Sequence, residues 1–193
     1  MILSMLKQAT QPYHEQIGRN SYSAEILADD ISRAYYGRLL KRFYGFYTPL
    51  EGRIAPGAEL AALGIDLEAR SKAPLLRRDL LWLGSNPASI SQLPICRDLP
   101  LAAQVPQALG CMYVLEGSTL GGQLIARHVR AALDLTDESG CAFFTSYGAQ
   151  LGPMWKAFGA ALTGYSEAHP DAAPQIVESA CATFTAFGRW LAA

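Results

Sequence analysis

The sequence predicts an all-α protein, a single-domain helical bundle over residues 1–193, and three observations lead there. Apolar residues recur at steps of three and four along most of the chain, alternation of period two is sustained nowhere, and Pro- and Gly-rich stretches punctuate several of the periodic runs. The first run places Leu3, Leu6, Thr10, His14 and Ile17 on one helix face. Pro12 removes a backbone donor inside it, so the helix is expected to start near Thr10 or to bend there.

Ser32 is the N-cap of a second predicted helix, in which Tyr35, Leu39, Phe43, Phe46 and Leu50 form an apolar stripe opposite Arg38, Lys41 and Arg42. Pro49, Gly52, Pro56 and Gly57 mark its end. A third helix is expected over Pro74–Leu83, followed by an irregular connection carrying Gly84, Pro87, Pro94 and Pro100. From Val105 to Leu133 the period is helical again, although Gly110, Gly117, Gly121 and Gly122 each cost about 1 kcal/mol relative to alanine in a helix interior. Glycines placed there predict a bend or a close contact. Two last helices, about Phe143–Leu162 and Pro174–Leu191, flank a turn-rich run from Gly164 to Pro170.

Half of the 193 residues are hydrophobic and 17% are charged, which suits one core of useful size. A formal charge of −1 with no basic half excludes the electrostatic footprint of a nucleic-acid binder, so small molecules are the expected partners. Cys96, Cys111, Cys141 and Cys181 form no Cys-x-x-Cys pair and stand in mostly apolar surroundings, as thiols of a reducing compartment do. Met1–Lys7 lacks the features of a secretory leader, and no stretch approaches about eighteen consecutive apolar residues. A cytoplasmic protein with no membrane partner is expected.

A histidine on an apolar helix face is either a core side chain or a ligand, and His14 alone does not decide between them. Lys7 adds to it. Two helical turns earlier on the same side, its ammonium is placed to meet an anionic group on a ligand held by His14, as in a planar apolar molecule with acidic substituents. The second constellation is the run Tyr113-Val-Leu-Glu-Gly-Ser-Thr-Leu-Gly-Gly-Gln123. Gly117 and Gly121, four residues apart, clear one helix face so that a flat ligand can lie against the backbone, or a second helix can pack closely.

The stretch Leu6-Lys-Gln-Ala-Thr10 followed by His14 resembles the N-terminal motif of the haem oxygenases, and Gly117-Ser-Thr-Leu-Gly-Gly-Gln123 resembles their distal helix. Phe143-Phe144 and Ala182-Thr-Phe184 also look like family positions, so the resemblance runs in order from Leu6 to Leu191, towards the bacterial, biliverdin-producing type. It implies haem held between a proximal helix carrying His14 and a distal helix kinked at its glycines. By that resemblance His14 is the neutral imidazole ligand to iron, Lys7 meets a propionate, and Thr10 belongs to the same motif. Gly117, Ser118, Gly121 and Gly122 line the other face, and Phe144 and Phe184 wall the pocket.

Ser118 departs from the animal enzymes, which carry an aspartate there to organise water. The proton relay is therefore expected on the Gly117 carbonyl and ordered waters, with Ser118 and Tyr113 as further catalytic candidates. Glu116 reads as a surface salt bridge. Arg127, Arg130 and Arg189 are the candidates for the second propionate. His128 lies about 16 Å along the helix from Gly117, too far to share its iron, and His169 in a polar turn reads as a surface residue.

The implied activity is oxidative cleavage of haem, at once substrate and cofactor, to biliverdin, carbon monoxide and ferrous iron with O2 as co-substrate. Neutral histidine suits this chemistry, whereas a thiolate ligand would favour O–O cleavage. No flavin or nicotinamide motif is present, so electrons are expected from an external ferredoxin or flavoprotein reductase. A non-catalytic haem carrier or sensor on the same fold is the alternative, and a helical relative acting on a different substrate is a third reading.

Overall fold

In the computed structural model, residues 1–18 and 25–193 are described, and ten α-helices account for most of them. They are α1 (Ile2–Gly18), α2 (Arg33–Glu51), α3 (Gly57–Ala62), α4 (Leu67–Arg70), α5 (Ala73–Trp82), α6 (Pro87–Ser91), α7 (Val105–Leu133), α8 (Ala142–Thr145), α9 (Leu151–Ala168) and α10 (Ala173–Ala192). Single 3-10 turns at Gly148–Gln150 and Pro170–Ala172 precede the last two. Among the described residues the one β-type pairing is an isolated bridge between Thr136 and Gly140. None of the described helices is long and apolar enough to cross a membrane.

The expected helices form, with three differences. Helix α1 begins already at Ile2 and carries Pro12 inside an unbroken run, because Ile2 and Leu6 are buried against the rest of the molecule and packing overrides the lost donor. The predicted Phe143–Leu162 helix is divided into α8 and α9 at Ser146, which takes φ 42° and ends the first piece. Gly164 lies within α9, which continues to Ala168. Ser32 does cap α2, its hydroxyl accepting from Tyr35 N–H at 3.1 Å. The last residue of α2, Glu51, in turn caps α5 by accepting from the backbone of Lys72 at 2.6 Å and Ala73 at 3.2 Å.

Helix α7 is the central element. It packs along α10 and also meets α8 and α9, while α1 lies on α10 and α9, and α2 on α5 and α10. Gly110 permits the α7–α10 approach: a Cβ there would stand 2.3 Å from the carbonyl oxygen of Ile176. On one side of α7, Cys111, Leu115, Val129 and Leu133 join a core with Phe46, Tyr47, Phe143, Phe144 and Phe187. On the other, Leu109, Met112 and Val114 meet Leu6, Phe158, Leu162 and Ile176. All four cysteines are free thiols, three of them buried. Burial pushes the pKa of each one up, that of Cys141 to about 12.

Asp79 on α5 ties this core to α8. It is fully buried, and its two carboxylate oxygens accept the N–H groups of Ala142 and Phe143, each at 2.8 Å. Burial nevertheless pushes its pKa up to about 6, against the pull of those two bonds. The folded protein therefore keeps a proton on Asp79 more readily than the unfolded chain, so the stability this group contributes is full below the ordinary carboxylate value of 3.8 and is lost as pH rises through about 6. In Asp79→Asn, urea unfolding midpoints taken across this range are expected to lose that component: the wild-type advantage shrinks from about pH 4 to about pH 6 and is level above. A constant difference across the range would show that Asp79 does not titrate there.

Candidate functional site

Helix α1 divides its residues by face. Leu6 and Thr10 are buried, Thr10 donating its hydroxyl hydrogen to the Leu6 carbonyl at 2.8 Å, while Lys7 and His14 are exposed. The imidazole of His14 meets the ring of Phe184 from α10 edge-on, with centroids 6.1 Å apart and planes at 77°. Among the described residues no hydrogen bond occupies either ring nitrogen of His14. The other two histidines are engaged: His128 donates to the Ala28 carbonyl at 2.9 Å, and His169 stacks on Tyr165 and bonds to its carbonyl at 3.1 Å. Among the described residues His14 is thus the histidine with no hydrogen bond on its ring.

The glycines of α7 fall into two groups. A Cβ on Gly121 would meet nothing within 4 Å, and Leu120 and Leu124 beside it are 43% and 61% exposed, so this face is bare and apolar. A Cβ on Gly117 would come no closer than 3.8 Å to Trp155 of α9. Gly122 turns the opposite way, into a tight seam where its Cβ would stand 3.1 Å from the Phe144 carbonyl oxygen. Phe144 itself is buried among Tyr36, Phe43 and Phe143. Tyr113 is half-buried with its ring 5.9 Å from that of Trp155; burial raises its pKa, and the Thr10 hydroxyl beside it acts in the opposite direction. Tyr113 and Thr10 thereby join α7 to α1.

Ser118 is exposed, and its hydroxyl does two things. It donates to the Leu115 carbonyl at 2.7 Å, which leaves the buried Tyr47 hydroxyl, 2.8 Å away, as the donor in the second bond. Burial pushes the Tyr47 pKa well up, so this phenol keeps its proton. Thr119 makes the same kind of local bond to the Glu116 carbonyl at 2.6 Å, and such side-chain bonds compete with the helix ladder at this turn.

Glu116 is not at the surface as its position in the sequence suggests. Its side chain is 2% exposed and is paired with Arg70 at 2.6 Å and Lys72 at 3.3 Å, while Tyr147 donates to it at 2.7 Å. Behind this cluster lies a cavity of about 470 Å³ lined in part by Thr48, Glu51, Arg70 and Glu116. The arginines offered by the sequence are elsewhere: Arg130 pairs with Asp137 at 2.8 Å, Arg189 lies 3.6 Å from Asp98 at 73% exposure, and Arg127 is exposed. A cation not foreseen in the sequence, Lys156 of α9, lines an open groove of about 610 Å³ with Trp155 and Leu3, the latter one turn before Lys7 on α1. Tyr47, Arg70, Lys72, Tyr147 and Trp155 were equally unforeseen, since each lies at least 31 positions from its partner on α7 and no spacing rule spans such a gap.

The chain matches the family model described as Heme oxygenase over residues 1–193. The chain belongs to the haem oxygenase family. Its fold is that of solved bacterial members: the NO- and CO-bound haem oxygenase of Neisseria meningitidis aligns at 24% identity with a TM-score of 0.77, covering 98% of this chain and 89% of that one. The haem oxygenase of Leptospira interrogans aligns at 16% identity and a TM-score of 0.78, covering 98% and 97% respectively. Haem oxygenase-1 from the cyanobacterium Synechocystis sp. PCC6803, solved in complex with haem, aligns at 16% and 0.75, covering 99% and 90%. No curated protein sequence matches the chain. Family and fold together support haem degradation by this haem oxygenase, an oxidoreductase.

The two glycine environments make opposite demands. Gly121→Leu is expected to weaken haemin binding while leaving apoprotein stability close to wild type, because its side chain enters open space. Gly122→Leu is expected to cost the apoprotein about 1–3 kcal/mol through overpacking against Phe144. Haemin titration and urea unfolding on both variants check this, and the reverse order would place the bare face of α7 away from haem.

Proposed function

We propose that this chain opens haem oxidatively to biliverdin, carbon monoxide and ferrous iron, using O2 and electrons from a separate ferredoxin or flavoprotein reductase. One cytoplasmic domain over residues 1–193 carries the activity. The observation that supports it most is His14, an exposed imidazole on the helix that also carries Lys7, set beside Phe184 of α10 and with no hydrogen bond to its ring nitrogens among the described residues. Such a lone donor suits a metal that brings most of its ligands with it, and the bare glycine face of α7 suits a flat partner. The residues present therefore fit haem.

As the substrate, haem supplies both the iron at which O2 is reduced and the macrocycle that is opened. His14 would hold the haem iron, and Phe184, edge-on to its imidazole, limits the rotation of that ring. Lys7 and Lys156 would supply the cations for the two propionate carboxylates, with the hydroxyls of Thr10 and Tyr113 nearby. Gly117 and Gly121 let the α7 backbone approach the macrocycle, while Gly122 and Phe144 hold α7 against α8. Ser118 accepts a hydrogen bond from Tyr47, which keeps its own proton, so the hydroxyl pair and the Gly117 carbonyl would hold the water that delivers protons from the open side.

Haemin added to the purified protein, followed by a reductant under air, tests the reading. Loss of the Soret band with formation of biliverdin is expected; bound haem that stays intact under oxygen and electrons would make the protein a carrier instead. His14→Ala is expected to keep the fold, since His14 is exposed, and to lose the histidine-ligated spectrum. A wild-type spectrum in that variant at neutral pH would overturn the assignment of the ligand.

A further inference from the structure

Glu116 stands one residue before Gly117 and takes no part in holding haem. Its surroundings are nevertheless the most heavily bonded polar site on α7. One carboxylate oxygen is 2.6 Å from Arg70 Nη1; the other receives the Tyr147 hydroxyl at 2.7 Å and lies 3.3 Å from Lys72 Nζ. The partners are themselves tied to one another and to neighbouring elements. Lys72 donates to the Arg70 carbonyl at 2.5 Å and to the Tyr147 hydroxyl at 2.6 Å, and Arg70 donates to the Met154 carbonyl at 3.3 Å. Met154 precedes Trp155, the ring that faces Gly117.

The backbone of the same turn is held as well. The Glu116 carbonyl accepts from Thr119, and the Leu115 carbonyl accepts from Ser118, whose oxygen receives the Tyr47 bond. Desolvation makes a buried ion pair a weak source of net stability, but its several bonds have one good geometry and strongly penalise others. Arg70 from α4, Lys72 from the start of α5, Tyr147 from the α8–α9 connection and the Met154 carbonyl of α9 all converge on this turn. A carboxylate gripped from so many sides cannot rotate or slide without breaking several bonds together.

We propose that Glu116 is a positioning residue: gripped by Arg70, Lys72 and Tyr147, it fixes the turn of α7 that presents Gly117 and Ser118 and thereby sets the Ser118–Tyr47 hydrogen bond. The proposal rests on the haem-cleaving function proposed above. Glu116 does not touch the substrate; it acts through the two residues that follow it.

The test compares Glu116→Gln, Tyr147→Phe, Tyr47→Phe and the Glu116→Gln/Tyr47→Phe double variant. Three quantities are read on each: haemin affinity, the rate of biliverdin formation, and the C–O stretching frequency of the reduced haem complex under carbon monoxide, which reports hydrogen-bond donors on the α7 side. Glu116→Gln is expected to bind haemin within about threefold of wild type, to form biliverdin about tenfold more slowly, and to move the C–O stretch in the same direction as Tyr47→Phe. In the double variant Glu116→Gln adds nothing to the loss caused by Tyr47→Phe, as two residues acting through one bond require. A lowered unfolding midpoint with wild-type rate and C–O stretch would show a merely structural role, and additive losses in the double variant would likewise overturn the proposal. Should Glu116→Gln fail to fold, Tyr147→Phe, which removes one of three donors to the carboxylate, carries the same comparison. Wild-type protein that binds no haemin would overturn the haem reading and this proposal with it, whereas turnover of haemin indifferent to these substitutions would overturn this proposal alone.

Discussion

The close approach of α7 to α10 at Gly110 is the constraint on which the rest of the molecule depends. With two backbones nearly in contact there, α10 is fixed along the length of α7, and α1 is fixed by lying on α10. Phe184 and His14 then face one another because they sit on elements whose spacing is already decided. The His14–Phe184 pair is therefore a consequence of helix packing some distance away. Bulk added at Gly110 would be felt at His14 through two helix–helix contacts without touching it.

Helix α7 has to serve as core and as wall. It resolves the conflict by position around its circumference: Gly110 and Gly122 are used to bring neighbours close, while Gly121 faces open space. The sequence shows the glycines but not which way each points, since glycine carries no polarity signal and all of them share the same permissive backbone. That is why Gly121 and Gly122, adjacent and identical, read alike until the fold separates them. The helix periods themselves were legible, and α2, α5, α7 and α10 lie close to where the apolar stripes place them. Pro12 and Gly164 misled because local propensity is weaker than burial of the faces on either side of them.

Lys7, Thr10 and His14 do lie on one helix, but the shared face that their spacing with Leu6 suggests is divided, Thr10 being buried with Leu6 while Lys7 and His14 are exposed. The distal polar network was not legible in the sequence. Arg70 and Lys72 lie outside every motif of the sequence, and Tyr47 lies beside the apolar stripe of α2, yet the fold brings all three to one turn of α7. A buried ion pair gives no sign of itself in sequence because the same residue types are far more often exposed. Glu116 illustrates the consequence: surrounded in sequence by glycine, serine and threonine it looks peripheral, and in the structure it is almost wholly enclosed.

The four thiols share one chemical property. The form of a cysteine that oxidants attack most readily is the thiolate. Here every cysteine is pushed towards its neutral form by burial, and none has another cysteine as a bonded partner. The nucleophilic form is correspondingly scarce at neutral pH. The same apolar packing that builds the core thus makes the protein's thiols poor targets for oxidants, a chemical durability that comes with the fold itself.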